Sequence, residues 1–202
     1  MKAAKKHHAL RRKIERLERK LVRQHQKLAE LKRELPLQPV KDYLLAGRKG
    51  RVRLSSLFGA KSDLIIVHSM GRSCRYCTMW ADSFNGLLPH LEDRAAFVVV
   101  SPDTPAVQHA FAQGRGWRFP FYSDAGSSFS KDLGFLPEPD EPCPGVSTFV
   151  KRGRKIYRVA SAPFGPYDPF CSVWHFFALL ADGAEEWAPR FRYMAQQMDT
   201  AR

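Results

Sequence analysis

The chain has 202 residues, of which 44% are hydrophobic and 26% charged, values typical of soluble globular proteins rather than disordered or fibrous ones. No apolar run approaches the roughly 20 residues of a membrane helix, and four cysteines in this length exclude a disulfide framework. We therefore expect a cytoplasmic protein with reduced cysteines. Its formal net charge of +13 is unevenly distributed.

The first 35 residues carry most of the positive charge, with 13 Lys and Arg against 4 Glu. No Pro or Gly occurs before Pro36, and apolar residues recur at alternating spacings of four and three. This pattern predicts one helix from about Lys5 to Glu34 with a coiled-coil seam, in which Gln24 is the polar position. The apolar seam residues are Leu10, Ile14, Leu17, Leu21, Leu28, Leu31 and Leu35.

A narrow apolar stripe is unstable alone in water, so this helix must pair with a second copy or dock on the rest of the chain. We predict a homodimer, with a basic helix domain at 1–35 and a second domain at 36–202. The charges indicate a solvated outer face or attraction to an anionic surface. Nucleic acid is disfavoured because no aromatic residues interleave the charges.

Two continuous apolar runs, Leu64–Val67 and Ala96–Ser101, have the pattern of buried parallel strands. The segment between them has apolar residues at helical spacing, so the three elements form a right-handed βαβ unit. The apolar positions of this helix are Trp80, Phe84, Leu87, Leu88 and Leu91.

Other elements follow from local patterns of apolar residues and turn residues. Val146–Lys151 and Lys155–Ala160 predict an antiparallel hairpin at the sheet edge, and Cys171–Leu180 predicts a buried helix. Further predicted elements are strands at Val40–Leu45 and Gly50–Leu54, a helical turn at Leu54–Phe58, helices at Pro102–Gln113, Ser127–Leu133 and Glu185–Met198, and a short strand within Trp117–Ser123.

The sequence Cys74-Arg75-Tyr76-Cys77 lies at the start of the helix that follows the first apolar strand. A helix start favours a thiolate because it offers unpaired N–H groups and a positive dipole end. Arg72 and Arg75 are expected to add positive charge. Cys74 is therefore the predicted attacking thiol and Cys77, one turn deeper, the resolving thiol. This layout indicates a thioredoxin-like redox site.

Three other interpretations of the CxxC sequence remain open: half of a zinc site, buried inert cysteines, or a structural disulfide. Zinc is disfavoured because Cys143 and Cys171 are isolated and no closely spaced His pair follows, so we expect no metal. Cys143 is a candidate third thiol in the loop before the hairpin, whereas Cys171 is expected to be an inert apolar residue.

Several neighbouring side chains are candidates for supporting roles. His68, at the end of the first apolar strand, is interpreted either as a residue that tunes Cys74 or as a satisfied buried histidine. Asp82 is either a proton acceptor for the buried thiol or a solvated carboxylate. Trp80 is expected in the core, where it shields Cys77 from solvent.

The stretch Cys74–Gly86, which includes Tyr76, is the most specific of several segments that together resemble one protein family. The others are Asp42-Tyr43, Leu54–Phe58, Leu64–His68, Gly116–Pro120 and Trp174–Phe177. These segments resemble a bacterial domain-of-unknown-function family described as predicted dithiol–disulfide oxidoreductases, and the resemblance covers roughly residues 36 to 180. It implies an α/β thioredoxin-like fold, with a central mixed sheet flanked by helices, and a redox role.

Two features depart from related thiol proteins. Thioredoxins place a cis-proline before the hairpin strand, facing CxxC, but the equivalent position here is near Ser147 and the nearest proline is Pro144. Peroxiredoxins carry Pro-x-x-x-Thr/Ser-x-x-Cys, whereas Ser69–Ser73 before Cys74 contains no proline. The first departure favours the peroxiredoxin branch of the fold, and the second disfavours peroxidase activity.

The first functional hypothesis is thus a thiol–disulfide oxidoreductase that acts on a disulfide-containing protein or small molecule and is reset by an external thiol reductant. The alternatives are a thiol peroxidase of peroxiredoxin type, or a non-enzymatic thioredoxin-like scaffold that binds a partner through its basic coiled coil. No nucleotide-binding fingerprint is present, so no cofactor is expected.

Overall fold

A computed structural model of the chain describes residues 2–139 and 141–193. The chain divides into two compact units, Met1–Leu37 and Gln38–Arg202. The first unit contains helix α1, Lys2–Glu34, which confirms the predicted long N-terminal helix and begins three residues earlier. Its seven apolar seam residues are between 47% and 59% exposed. Pairing of this helix with a second copy stays a prediction.

The second unit is built on one mixed sheet of eight strands in the order β1-β8-β7-β4-β5-β6-β2-β3. A 3₁₀ helix at Leu54–Phe58 precedes β4. The strands are β1 Gln38–Val40, β2 Leu44–Gly47, β3 Gly50–Arg53, β4 Asp63–His68, β5 Ala96–Ser101, β6 Phe121–Ser123, β7 Gly145–Arg152 and β8 Lys155–Pro163. The helices are α2 Arg75–Arg94, α3 Pro105–Arg115, α4 Phe129–Asp132 and α5 Ser172–Phe177.

The centre of the sheet is the parallel trio β4, β5 and β6, in which Leu64 pairs with Ala96 and Val99 with Phe121. Helix α2 connects the first two strands, as the βαβ pattern predicted. Strand β7 then returns antiparallel to β4, with Gly145 opposite His68. The carboxyl ends of the parallel strands therefore meet the start of α2 at one edge, where open α/β sheets place their sites.

The sheet separates two apolar cores because alternate side chains of a strand face opposite sides. Leu64 and Ile66 pack in a core with the 3₁₀ helix and α4. Val67 packs in the other core, against Trp80 and Phe84 of α2. Both aromatic residues are buried as predicted, whereas Leu87 of the same helix is 49% exposed.

Some predicted elements differ from the structure. The hairpin β7–β8 is not at the sheet edge, because β1 pairs with β8. The predicted strand Val40–Leu45 is instead divided between β1 and β2, which have different partners. The predicted helix Glu185–Met198 is wrong for 185–193, which contain no helix, and 194–198 lie outside the described residues.

The apolar segment Cys171–Leu180 forms only a six-residue helix, and Leu179 is 83% exposed. A helix of six residues buries only one of its faces, and the buried residue here is Trp174. The prediction that the whole segment is buried is therefore wrong. Within the part of the chain that the structure describes, no helix is both long and apolar enough to span a membrane.

Candidate active site

Cys74 caps the amino end of α2, where its extended backbone (φ −84°, ψ 105°) turns the side chain toward the first helical N–H groups. The Cys77 N–H donates to Cys74 Sγ at 2.9 Å. Thr78 anchors the same residue from the next turn, since its N–H and Oγ1 each donate to the Cys74 carbonyl oxygen. A thiolate at Cys74 would thus accept hydrogen bonds from backbone N–H groups at the helix start, which have no partner within the helix.

The pKa values of the two thiols are shifted in opposite directions. The pKa of Cys74 is lowered to about 7, chiefly by the hydrogen bond from the Cys77 thiol and also by the N–H groups of Cys77 and Tyr76, against burial. The pKa of Cys77 is raised by its hydrogen bond to Cys74 and by burial. Near neutral pH, these opposite shifts favour the thiolate at Cys74 and leave the proton on Cys77.

The arginines flanking Cys74 do not account for this lowered pKa, which comes from hydrogen bonds. Arg72 and Arg75 are both exposed. Arg72 contributes through its backbone, whose N–H donates to Asp103 Oδ2 at 2.6 Å. Gly71 permits this contact, because a Cβ at that position (φ 100°) would lie 2.9 Å from the same oxygen. The Asp103 carboxylate therefore fixes the loop that leads into Cys74.

A cavity of about 30 Å³ lies beside Cys77, on the side of α2 that faces the sheet. Its polar lining includes Thr78, Ser101, Asp103 and Gln108. Gln108 is 4% exposed, and its Nε2 donates to Ser101 and to the Tyr122 carbonyl oxygen. Its buried Oε1 has no hydrogen-bond partner among the residues that the structure describes. The cavity has room for a water molecule and offers it an acceptor.

The His68 ring lies on the strand face of Leu64 and Ile66, opposite the face that packs against α2, although the residue also lines the cavity beside Cys77. The ring stacks on Phe135 with centroids 3.7 Å apart, and Nε2 lies 3.0 Å from Ser147 Oγ. Burial lowers the pKa of His68 to about 3, so the imidazole is neutral near pH 7. The structure therefore brings His68 and Ser147 together as a buried pair, but His68 Nδ1 has no hydrogen-bond partner among the described residues, so the histidine is only partly satisfied.

Asp82 faces away from the thiols and is not one of the residues that line the cavity beside Cys77. Its carboxylate receives Arg115 Nε at 2.9 Å and Trp117 Nε1 at 2.8 Å. Both donors tie α2 to the end of α3. This carboxylate is thus engaged in packing two elements together and is not placed to accept a proton from Cys77.

Aromatic residues cover the other side of the helix start. Trp80 lines the cavity with Cys77, is 3% exposed, and donates through Nε1 to Asp168 Oδ2 at 3.0 Å. Tyr76, between the two cysteines, is 36% exposed and stacks on Trp174. Trp80 is therefore placed to shield Cys77, while Tyr76 forms part of the exposed surface around Cys74.

The remaining thiols differ in environment. Cys143 is exposed in the loop before β7, and Cys171 is fully buried, where burial raises its pKa. Next to Cys143, Pro144 lines the cavity, which Ser147 does not. All peptide bonds of the described residues are trans. Pro144, in trans, therefore occupies the place before the hairpin strand that faces the thiol pair.

The residues described hold no cluster of three His, Cys, Asp or Glu side chains that could bind a metal ion.

A comparison with protein families matches residues 2–200 to the family described as "Bacterial protein of unknown function (DUF899)". The chain belongs to the DUF899 family. No curated protein matches it.

Solved structures similar to this DUF899 chain include peroxiredoxins and a peroxiredoxin-like protein. Peroxiredoxin Q of Xanthomonas campestris is 21% identical (TM-score 0.52; 59% of this chain, 78% of that chain), and peroxidoxin BcpB of Mycobacterium tuberculosis is 23% identical (0.52; 63% and 84%). A peroxiredoxin-like protein of Aquifex aeolicus is 16% identical (0.51; 64% and 76%). These similarities confirm the predicted thioredoxin-like fold.

Three residues of this site, Asp103, Gln108 and Ser69, were not predicted from the sequence. The Ser69 hydroxyl lowers the pKa of the Cys77 thiol against the effect of burial, and it accepts the Gly71 N–H through Oγ at 3.2 Å. A signal was available, since Ser69 and Asp103 each lie two residues beyond the end of a strand, and the two strands were predicted to be parallel. The carboxyl ends of such strands meet at one edge of the sheet.

Cys74 alkylation should report its lowered pKa directly. In a Cys143→Ser background, which removes the exposed thiol, we expect the rate of reaction with iodoacetamide to rise with pH around a midpoint near 7. Cys77→Ala should move that midpoint upward, because the largest stabilising contact of the thiolate is lost. An unchanged midpoint in Cys77→Ala would show that the Cys77 thiol does not stabilise the Cys74 thiolate.

Proposed function

We propose that this DUF899 protein is a thiol–disulfide oxidoreductase that uses Cys74 and Cys77 as its redox pair. The observation that carries the proposal is the helix-capping Cys74 thiol, with its pKa lowered to about 7 by the neighbouring Cys77. Such a thiol is about half ionised at neutral pH, and its partner lies one helical turn away.

The reaction begins when the Cys74 thiolate attacks one sulfur of a substrate disulfide. The substrate S–S bond breaks, one substrate thiolate leaves, and a mixed disulfide joins Cys74 to the other half. Cys77 then loses its proton and attacks Cys74 Sγ, which releases the second thiolate. Two electrons have passed from the dithiol to the substrate, and an external thiol reductant must return them.

The second step requires a proton acceptor for Cys77, because burial opposes its ionisation. Asp103 is the carboxylate that lines the cavity with Cys77. A water in the cavity would connect the two groups. Ser69 Oγ, as a hydrogen-bond partner of the Cys77 thiol, would stabilise the thiolate once it forms.

Asp103→Asn should slow resolution of the mixed disulfide by about tenfold or more, because Asn still accepts the Arg72 N–H but takes no proton. Reaction with 5,5′-dithiobis(2-nitrobenzoate) separates the steps: its first thiol is released in the attack on Cys74 and its second in resolution. The second release should slow, and its pH dependence should change. Asp82→Asn is the matched control on α2; an equal effect there would contradict the assignment.

We also propose that α1 joins two copies of the chain. Its seam has a single polar position, Gln24, of the kind that sets register. Light scattering should give the full-length protein twice the mass of one chain. Leu21→Glu in the seam should reduce the measured mass to that of one chain, whereas Arg19→Glu on the outer face should leave the mass at that of two chains. A wild-type monomer would contradict the coiled-coil interpretation.

A further inference from the structure

The size of the cavity beside Cys77, here called the redox cavity, limits where a substrate can lie. Its volume of about 30 Å³ suits a water molecule, and Cys74 is not among its lining residues. In a mixed disulfide, the substrate half is bonded directly to Cys74 Sγ and therefore lies against the start of α2. Because the redox cavity has no room for it, this half lies on the exposed surface around Cys74.

Two exposed tyrosine rings on that surface pack against one buried indole. Tyr76 lies between the two cysteines, and Tyr167 lies in the loop that follows β8. Each tyrosine ring has its centroid 6.1 Å from that of Trp174 on α5. We call these three residues the aromatic platform. Tyrosine and tryptophan carry much of the binding energy at polypeptide interfaces, because their rings offer large and rigid apolar faces.

Hydrogen bonds to one carboxylate tie the loop of Tyr167 to α2. The next residue, Asp168, accepts hydrogen bonds both within the loop and from the helix. Its carboxylate receives the N–H groups of Gly165 and Phe170 at 3.0 and 2.6 Å. The same carboxylate receives Trp80 Nε1, and Trp80 lies on the helix that carries the thiols. The backbone that presents the Tyr167 ring is thereby fixed to α2.

Tyr167 has a backbone conformation that its own side chain disfavours. Its φ of 65° is in the left-handed region, which is uncommon for a bulky residue and favours glycine. The side chain is 61% exposed, so burial of the ring does not offset this strain. Strained residues of this kind concentrate at ligand-contacting sites. The combination indicates a ring that contacts a bound molecule rather than the core.

Two cations flank Cys74 in the chain. Arg72 and Arg75 are exposed, and neither forms an ion pair with a carboxylate of the described residues. Uncompensated positive charge at a binding surface attracts anionic partners and disfavours cationic ones. Charge complementarity therefore favours a substrate with acidic residues near its disulfide.

We propose that the aromatic platform and these arginines bind polypeptide disulfides in which aromatic and acidic residues neighbour the cysteine. The inference rests on the proposed function and names its substrate class. Small molecules bind in concave sites of at least about 300 Å³, whereas an exposed surface of Tyr, Trp and Arg has the composition of polypeptide interfaces. The platform holds the aromatic side chain while Cys74 Sγ attacks the neighbouring sulfur. The substrate S–S bond breaks, and its other half leaves as a thiolate.

Three symmetric peptide disulfides test the proposal, because each peptide places the same residue types on both sides of its cysteine. Their sequences are Glu-Phe-Cys-Phe-Glu, Glu-Gly-Cys-Gly-Glu and Gln-Phe-Cys-Phe-Gln, and bis(2-hydroxyethyl) disulfide is a small neutral reference. The full-length reduced protein carries Cys77→Ser and Cys143→Ser, so the mixed disulfide at Cys74 persists. Mass spectrometry after an acid quench measures the rate at which this adduct forms.

The peptide with both phenylalanine and glutamate should react about tenfold faster than the glycine peptide and about threefold faster than the glutamine peptide. Tyr167→Gly should reduce the first ratio to below about threefold, because glycine accepts the φ of 65° and only the ring is lost. Tyr167→Phe should retain that ratio. Arg75→Gln should bring the second ratio close to one.

Leu44→Ala is the matched control, since it shortens an exposed apolar side chain on β2, a strand separated from β4 by β5 and β6. This variant should keep both wild-type ratios. Equal rates with all three peptides, while bis(2-hydroxyethyl) disulfide still forms an adduct, would overturn the assignment. Equal loss of preference in Leu44→Ala and Tyr167→Gly would overturn it too. Failure of the proposed function looks different, because no disulfide would then form an adduct at Cys74.

Discussion

Cys74→Ser is expected to lower the rate of disulfide reduction on the order of a thousandfold or more, because a serine hydroxyl is not ionised near neutral pH and is a poor nucleophile toward sulfur. The structure makes this variant conservative. Ser is a preferred helix-capping residue, so its hydroxyl takes over the contact with the Cys77 N–H. Dithiothreitol-driven reduction of a small disulfide measures the effect.

Cys143→Ser is the control for this prediction, since it removes an exposed thiol that does not line the redox cavity. Its activity should stay close to that of the wild type. Thermal unfolding should show that the Cys74→Ser protein remains folded. Retained activity in folded Cys74→Ser would contradict the proposed function. A folded wild-type protein without activity would instead leave the scaffold hypothesis, in which the basic helix binds a partner without catalysis.

Cys77→Ser should give the second large effect, because it stops the reaction after the first step. The hydroxyl remains a donor to Cys74, so attack on the substrate should persist, but no resolving thiol is left. We expect one equivalent of thiol released, loss of multiple turnovers, and a mixed disulfide on Cys74 that mass spectrometry detects. Continued turnover in Cys77→Ser would mean that another thiol resolves the intermediate.

Consumption of hydrogen peroxide by the wild-type protein separates the oxidoreductase from the peroxidase alternative. Some similar solved structures are peroxiredoxins, but the segment Ser69–Ser73 before Cys74 lacks the proline of the peroxiredoxin motif. We therefore expect the wild-type protein to consume hydrogen peroxide slowly. Fast consumption that depends on Cys74, without disulfide reduction, would favour a peroxidase in which Cys74 forms a sulfenic acid.

Local patterns in the sequence were sufficient for the long helix, the parallel βαβ core and the position of the thiol pair. These features depend on short-range spacing. Heptad periodicity defines α1, continuous apolar runs define β4 and β5, and three residues separate Cys74 from Cys77 whatever the rest of the chain does. For the same reason, the sequence alone predicted which of the two cysteines begins the helix.

The tertiary structure decided which polar groups meet the thiols. Helical periodicity shows which residues share a face, but it does not show which element packs there. Asp82 is five residues from Cys77 in sequence and is held by Arg115, whereas Asp103 reaches the loop before Cys74 from the end of another strand. Only the long-range pairing of strands brings these carboxyl ends together, so the predicted parallel strands made Asp103 a candidate, but the tertiary structure decided that it lies beside the thiol pair.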